Sequence, residues 1–242
     1  MKGPREVSPQ DPLDALVHRT LLVGLIEHGR IESHAALAES LEVSEGAVRN
    51  SLTRLESNHG AVMHPGTLDP WLVHPFSTTP TLFHVRNAQR GWWAPCIWCA
   101  LGIAVLVSGP VHIRTVLGGE TEPCEMTYAD GRVGPSGLVA HFPIPVARAW
   151  DNVHRHCACT LVFREHDGSA EPDEVSAWCE RYGIARGEVV PLARVAELAR
   201  VWYGNHLSPE WRKPTASEAQ AIFESVGLTA PHWRVPQGDE RF

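Results

Sequence analysis

The 242-residue chain carries a net charge of −7, with 43% apolar and 20% charged residues. That length buries a substantial core, as one large domain or two modest ones. Its acidity argues against a general polyanion binder, and its longest strongly apolar run, Ala100 to Val107, is far too short to cross a bilayer.

Residues Met1 to Gln10 are polar and contain Pro, without the apolar core of a secretory signal. A soluble cytoplasmic protein is therefore expected. In that compartment thiols stay reduced, so closely spaced cysteines read as metal-binding or reactive rather than disulfide-bonded. Asp11-Pro12 predicts a helix start, and Leu13, Leu16, Val17, Leu21, Leu22 and Leu25 recur at helical spacing until Gly29. Ser33 caps a second short helix to Leu41, and Ser44 a third from Glu45 to Glu56. Ala61-Val62-Met63 and Trp71-Leu72-Val73, separated by Pro65-Gly66, predict a small hairpin. Three helices and a hairpin outline a winged helix, with Glu45 to Glu56 in the recognition position. Charge opposes DNA binding. Residues 1–70 hold six basic against ten acidic side chains, a net of −4, whereas phosphate contacts supply much of DNA affinity. A structural or lid-forming module is the favoured reading.

A boundary is expected at His74-Pro75-Phe76, dividing a winged-helix-like domain (1–75) from a second domain (76–242). Thr81 to Val85 predicts a strand, and Cys96 to Val107 a buried helix starting near Pro95. Val111 to Val116, Glu125 to Tyr128, Gly137 to Phe142 and Cys157 to Phe163 are further strand candidates. Glu171 to Tyr182, Pro191 to His206 and a segment behind the capping box Thr215-Ala216-Ser217-Glu218 read as helices. The expected fold class is α+β: three N-terminal helices, then a mixed sheet flanked by helices.

The chemistry concentrates in Trp92-Trp93-Ala94-Pro95-Cys96-Ile97-Trp98-Cys99 and in His156-Cys157-Ala158-Cys159. Two cysteines at i and i+3 near a helix start point roughly the same way, and the helix N-terminus favours the thiolate. Thiolates select soft metals. Cys96, Cys99, Cys157 and Cys159 are thus the candidate metal ligands, for Hg(II), or for Cu or Zn in a non-lytic binding protein. The first pair sits in an apolar, Trp-rich run, unlike the short polar knuckles of zinc ribbons. Nothing around it reads as a thioredoxin-like βαβ unit. Cys124 and Cys179 stand alone and read as core filling. His154 and His156 flank the second pair and read as strand-end or surface residues. Trp93 and Trp98 flank the first and would exclude water or pack the core. Asp151, six residues before Cys157, is a lesser candidate for carrying a proton.

At these residues the chain resembles the organomercurial (alkylmercury) lyase family. The resemblance covers nearly the whole chain: Pro75-Phe76-Ser77, Pro80-Thr81-Leu82-Phe83, Trp93-Ala94-Pro95-Cys96, Cys157 to Arg164, Trp202-Tyr203, Trp211-Arg212 and Gly227-Leu228-Thr229. Family members use two Cys and one Asp to break a carbon–mercury bond by protonolysis. The resemblance implies Cys96 as the capturing thiol and Cys157 as its dithiolate partner. The Asp position is held by Cys99, so the catalytic set is Cys96, Cys99 and Cys157, and Cys159 is a thiol the pattern does not require. It also implies no cofactor, Hg(II) left on thiolates as product, and a low-molecular-weight thiol or a mercuric reductase as its acceptor. A thiol's usual pKa is about 8.5 against about 3.9 for Asp. Cys99 would therefore hold a proton at neutral pH, and it would also be a third soft ligand. Three readings follow: a lyase, a non-lytic soft-metal binder, or a lyase scaffold acting on another carbon–heteroatom bond.

Overall fold

The computed structural model describes residues 11–168 and 173–236. The polar stretch 1–10 and the expected helix start at Glu171 lie outside them. Helix α1 (Pro12–His28) begins at a capping box, in which Asp11 accepts from Leu13 N and the Asp14 side chain accepts from Asp11 N. It ends where Gly29 takes φ 69°, a left-handed turn that favours glycine. Ser33 and Ser44 cap α2 (His34–Ser40) and α3 (Glu45–Ser57). Val17, Leu21 and Leu25 of α1 and Val48, Leu52 and Leu55 of α3 are buried in the shared core. Asp14 is buried too, and its carboxylate accepts from Ser51 Oγ at 2.7 Å and Arg54 Nη2 at 2.7 Å. Leaving that charge without its partners would be strongly destabilising. Arg49 pairs with Glu45 on the same helix, so both arginines of α3 are engaged in ion pairs.

Eight strands form one sheet: β1 (Val62–Met63), β2 (Pro70–Val73), β3 (Phe76–Ser77), β4 (Phe83–Arg86), β5 (Gly91–Ala94), β6 (Val111–Val116), β7 (Pro123–Ala129) and β8 (Arg132–Gly134). Their order is β1-β2-β3-β5-β4-β6-β7-β8. The sheet therefore runs through His74 and Pro75, and the hairpin β1–β2 is continuous with the strands that follow. A second sheet, β10-β9-β11, holds β9 (Leu138–Phe142), β10 (Leu161–Arg164) and β11 (Glu188–Pro191). The class is α+β. Where a mixed sheet was expected, every pairing among the described residues is antiparallel.

Helix α4 (Ile97–Leu106) is the centre of the molecule. It is apolar on all sides and buried from Ile97 to Ala104, as expected of a helix with no solvent face. It packs on β4 and β5 and against α7 (Leu192–Tyr203). Gly102 allows the close approach: a Cβ there would lie 2.4 Å from Tyr203 Cδ2 and 2.9 Å from Pro75 Cβ. Helices α6 (Glu174–Tyr182) and α8 (Ala216–Ser225) complete the fold. No helix among the described residues is long and apolar enough to cross a membrane.

One expected strand is corrected. Residues from Cys157 do not extend directly into β10. Asn152 instead accepts from Arg155 N and opens a short helix, α5 (Val153–Ala158), and the strand begins only at Leu161. The apolar run ahead of Arg164 is the strand, and the thiols belong to the helix before it.

Candidate thiol site

Cys96 is the N-cap of α4, in extended conformation, with its Sγ accepting from Cys99 N at 3.4 Å. The first-turn geometry that the i, i+3 spacing predicts is thus present. Cys157, on the last turn of α5, brings a third thiol to the same place from a distant part of the chain. All three are buried and free of disulfides. The Cys99 Sγ lies 3.4 Å from the Tyr203 hydroxyl at the end of α7. His74, in the turn between β2 and β3, completes a group in which its ring nitrogen and the Cys99 and Cys157 sulfurs lie within 4.8 Å of one another.

These thiols do not share one protonation state. Burial alone would raise the Cys96 thiol. Side-chain hydrogen bonds from Cys157 and Cys99, the Cys99 backbone N–H and nearby His156 outweigh it and hold Cys96 well below the usual thiol range. Cys99 is pushed well above that range, first by burial and also by the neighbouring Cys96 charge. Cys157 is pushed up first by its hydrogen bonds to Cys96 and Cys99, then by burial. Of the three, Cys96 is the one favoured as a thiolate, and Cys99 and Cys157 are favoured as thiols. Burial and the neighbouring Cys99 and Cys96 sulfurs also raise Tyr203 well above its usual value, so its hydroxyl stays protonated. His74 is lowered to about 4, mainly by burial, which leaves the imidazole neutral at physiological pH.

The three cysteines and His74 line one cavity of about 70 Å³. A single water needs about 10–15 Å³ on such a scale, so the space admits a small group. Trp98, Trp150, Trp202 and Trp211 contribute to its wall, giving an apolar enclosure around the sulfurs.

Some expected residues are placed elsewhere. Cys159 is the half-buried C-cap of α5 and lies outside the group formed by His74, Cys99 and Cys157. Residues i and i+2 share a face on a strand but diverge on a helix, so the helical course of α5 separates Cys157 from Cys159. Asp151 is exposed and accepts from Arg148 Nε at 2.9 Å, away from the cavity lining. Trp98 lines the cavity but Trp93 does not; its ring packs on His84 at 4.7 Å. His156 is buried in the cavity wall, contrary to a surface reading, whereas His154 sits over Trp71. Cys124 and Cys179 are buried away from the cavity. His74 had served only to mark a boundary, since nothing in its spacing connects it with cysteines more than 20 residues later.

A profile of the alkylmercury lyases (MerB) matches residues 76–204, more than half of the chain. The chain belongs to the alkylmercury lyase family. The matched segment contains Cys96, Cys99, Cys157 and Tyr203 and stops short of α8. Ten solved chains match in structure. One, the mercury-bound form of MerB2, is 18% identical with a TM-score of 0.61, over 80% of this chain and 89% of its own. This likeness supports the lyase fold. No curated protein matches the chain.

Proposed function

We propose that this alkylmercury lyase family member cleaves the carbon–mercury bond of small organomercurials by protonolysis with three thiols. The convergence of three buried, free cysteines in one Trp-walled cavity, with Cys96 the one favoured as a thiolate, carries this reading. Cys96, already ionised, captures R–Hg⁺ and forms the first sulfur–mercury bond. Cys99 holds the proton that the leaving carbon needs. As the carbon–mercury bond breaks, its electron pair takes the Cys99 proton and R–H forms. Cys157 bonds mercury as a thiolate, and its proton passes to Cys99, restoring the donor. From R–Hg⁺ the balance is one carbon–mercury bond broken, two sulfur–mercury bonds formed and one thiol proton, ultimately that of Cys157, delivered to R–H, leaving Hg(II) on Cys96 and Cys157.

Tyr203 orients Cys99 through the contact at 3.4 Å, and the tryptophans exclude water from the reacting carbon. Release of Hg(II) from two thiolates calls for a competing soft ligand, so a low-molecular-weight thiol or a mercuric reductase is the acceptor. The test is methane release from methylmercury in excess thiol. Wild-type protein releases methane, and Cys96→Ser and Cys157→Ser do not. A wild-type protein that retains mercury without forming hydrocarbon would overturn the lyase reading.

A further inference from the structure

The thiol cluster includes a neighbour of different chemistry. His74 reaches it from the β2–β3 turn, with its ring nitrogen and the Cys99 and Cys157 sulfurs mutually within 4.8 Å. Cys96 lines the same cavity, and its Sγ accepts from Cys99 N at 3.4 Å. Three sulfurs and one imidazole nitrogen form the donor set of a tetrahedral zinc site, with Zn–S of about 2.3 Å and Zn–N of about 2.0–2.1 Å. Donors in such a tetrahedron stand roughly 3.5–3.8 Å apart, so His74, Cys99 and Cys157 need to draw in by about 1.3 Å at most, and Cys96, which stands outside that group, closes a longer gap. Thiolate alone suits both Cu(I) and zinc. The added imidazole and four-donor geometry favour zinc.

We propose that His74, Cys96, Cys99 and Cys157 bind one Zn(II) ion in the mercury-free protein, and that an arriving organomercurial expels it. Binding displaces the Cys99 and Cys157 protons to solvent, as metal capture by thiols requires. When R–Hg⁺ takes the Cys96 sulfur, Zn(II) leaves and the other two thiolates regain protons from water. The site then returns to one captured mercury beside two thiols. This goes beyond the lyase reading and stands whether or not the carbon–mercury bond is later broken.

The test uses the full-length protein in zinc buffers, with bound metal measured by elemental analysis. One zinc per chain is expected. In the Co(II)-loaded wild type, thiolate-to-cobalt charge-transfer bands and a paramagnetically shifted, exchangeable imidazole N–H resonance are expected. His74→Ala should weaken zinc binding at least about tenfold, since even supporting residues around a metal are worth 10–100-fold. The same variant should still capture one methylmercury. Methylmercury added to the zinc form should release zinc to an indicator dye, mole for mole. Failure of wild-type protein to bind zinc, or a cobalt form without the imidazole resonance, overturns the site. Zinc that stays bound while methylmercury is captured overturns the shared thiols. If His74→Ala does not fold, the cobalt spectrum of the wild type still decides. Zinc release without methane would count against the lyase reading alone.

Discussion

The Cys99 thiol lies 3.4 Å from the Tyr203 hydroxyl, although 104 residues separate them in sequence. One is in the first turn of α4 and the other closes α7, so the packing of these helices sets the position of the proposed proton donor. Tyr203→Phe removes the hydroxyl and leaves the ring. A net hydrogen bond is worth about 0.5–1.5 kcal/mol, so the single-turnover rate of methane release should fall about two- to tenfold. Mercury capture by Cys96 should be unchanged. A fall in capture with an unchanged cleavage rate would contradict this role.

Gly102 is what lets Tyr203 approach. In Gly102→Ala the new Cβ meets Tyr203 Cδ2 at 2.4 Å and Pro75 Cβ at 2.9 Å. Both neighbours are held, Tyr203 by burial and Pro75 by its ring, so the helices must separate. Overpacking of this kind costs about 1–3 kcal/mol. The urea midpoint should drop, and methane release should slow beyond the Tyr203→Phe effect. Equal stability of Gly102→Ala and wild type would show that the α4–α7 contact yields without cost.

The elements with strong local signals were readable from sequence. Asp11, Ser33, Ser44 and Thr215 cap the helices where they were expected to, because a side-chain cap needs only its near neighbours. Cys96 and Cys99 were readable because i, i+3 spacing on a helix start fixes their relation. Strands β3, β5 and β8 span two to four residues, too few alternations to separate from loop. The course of α5 was hidden because the apolar Leu161-Val162-Phe163 made the preceding thiols look like part of the same strand. His74 and Tyr203 join the site only through sheet order and helix packing, which local periodicity does not encode.

That difference between α5 and a strand has its own consequence. Cys159 caps the helix and lies outside the cluster of His74, Cys99 and Cys157. Cys159→Ser should leave mercury stoichiometry and methane release within about twofold of wild type, since substitutions outside such features usually stay within ±0.5 kcal/mol. Cys157→Ser should abolish release. Loss of activity in both variants would mean that Cys159 has a part in the chemistry.

Acid should unfold this protein early. His18 is fully buried and stacked on Trp211 at 3.6 Å, and burial, with smaller contributions from His74 and Lys213, lowers its pKa to about 3. His206, nearby, is also lowered well below its usual value, first by burial and then by His18. In the unfolded chain both take up protons near pH 6.5. Below that pH the unfolded state binds more protons, so stability falls as pH falls, down to the folded-state values. By pH 5 His18 alone should cost about 2 kcal/mol. The urea midpoint should decline between pH 7 and 5, and His18→Phe should flatten the decline. A midpoint independent of pH across that interval would contradict the neutral buried imidazoles.

Cys99→Asp places a carboxyl group where the family resemblance implies one. Burial raises a carboxyl pKa, as it raises this thiol, but the carboxyl starts about 4–5 units lower and remains the stronger acid. Proton transfer to carbon should be faster, with single-turnover methane release rising at least about tenfold. The same change removes one soft ligand, so Hg(II) should pass more readily to competing thiols. Cys99→Ala removes the proton and the ligand together and should capture methylmercury without cleaving it. These variants separate the two roles of Cys99: a donor predicts loss with Ala and gain with Asp, whereas a pure ligand predicts weaker mercury retention in both with cleavage unchanged. If Cys99→Ala cleaves at the wild-type rate, the proton comes from Cys157 or solvent, and the assignment of Cys99 as donor fails.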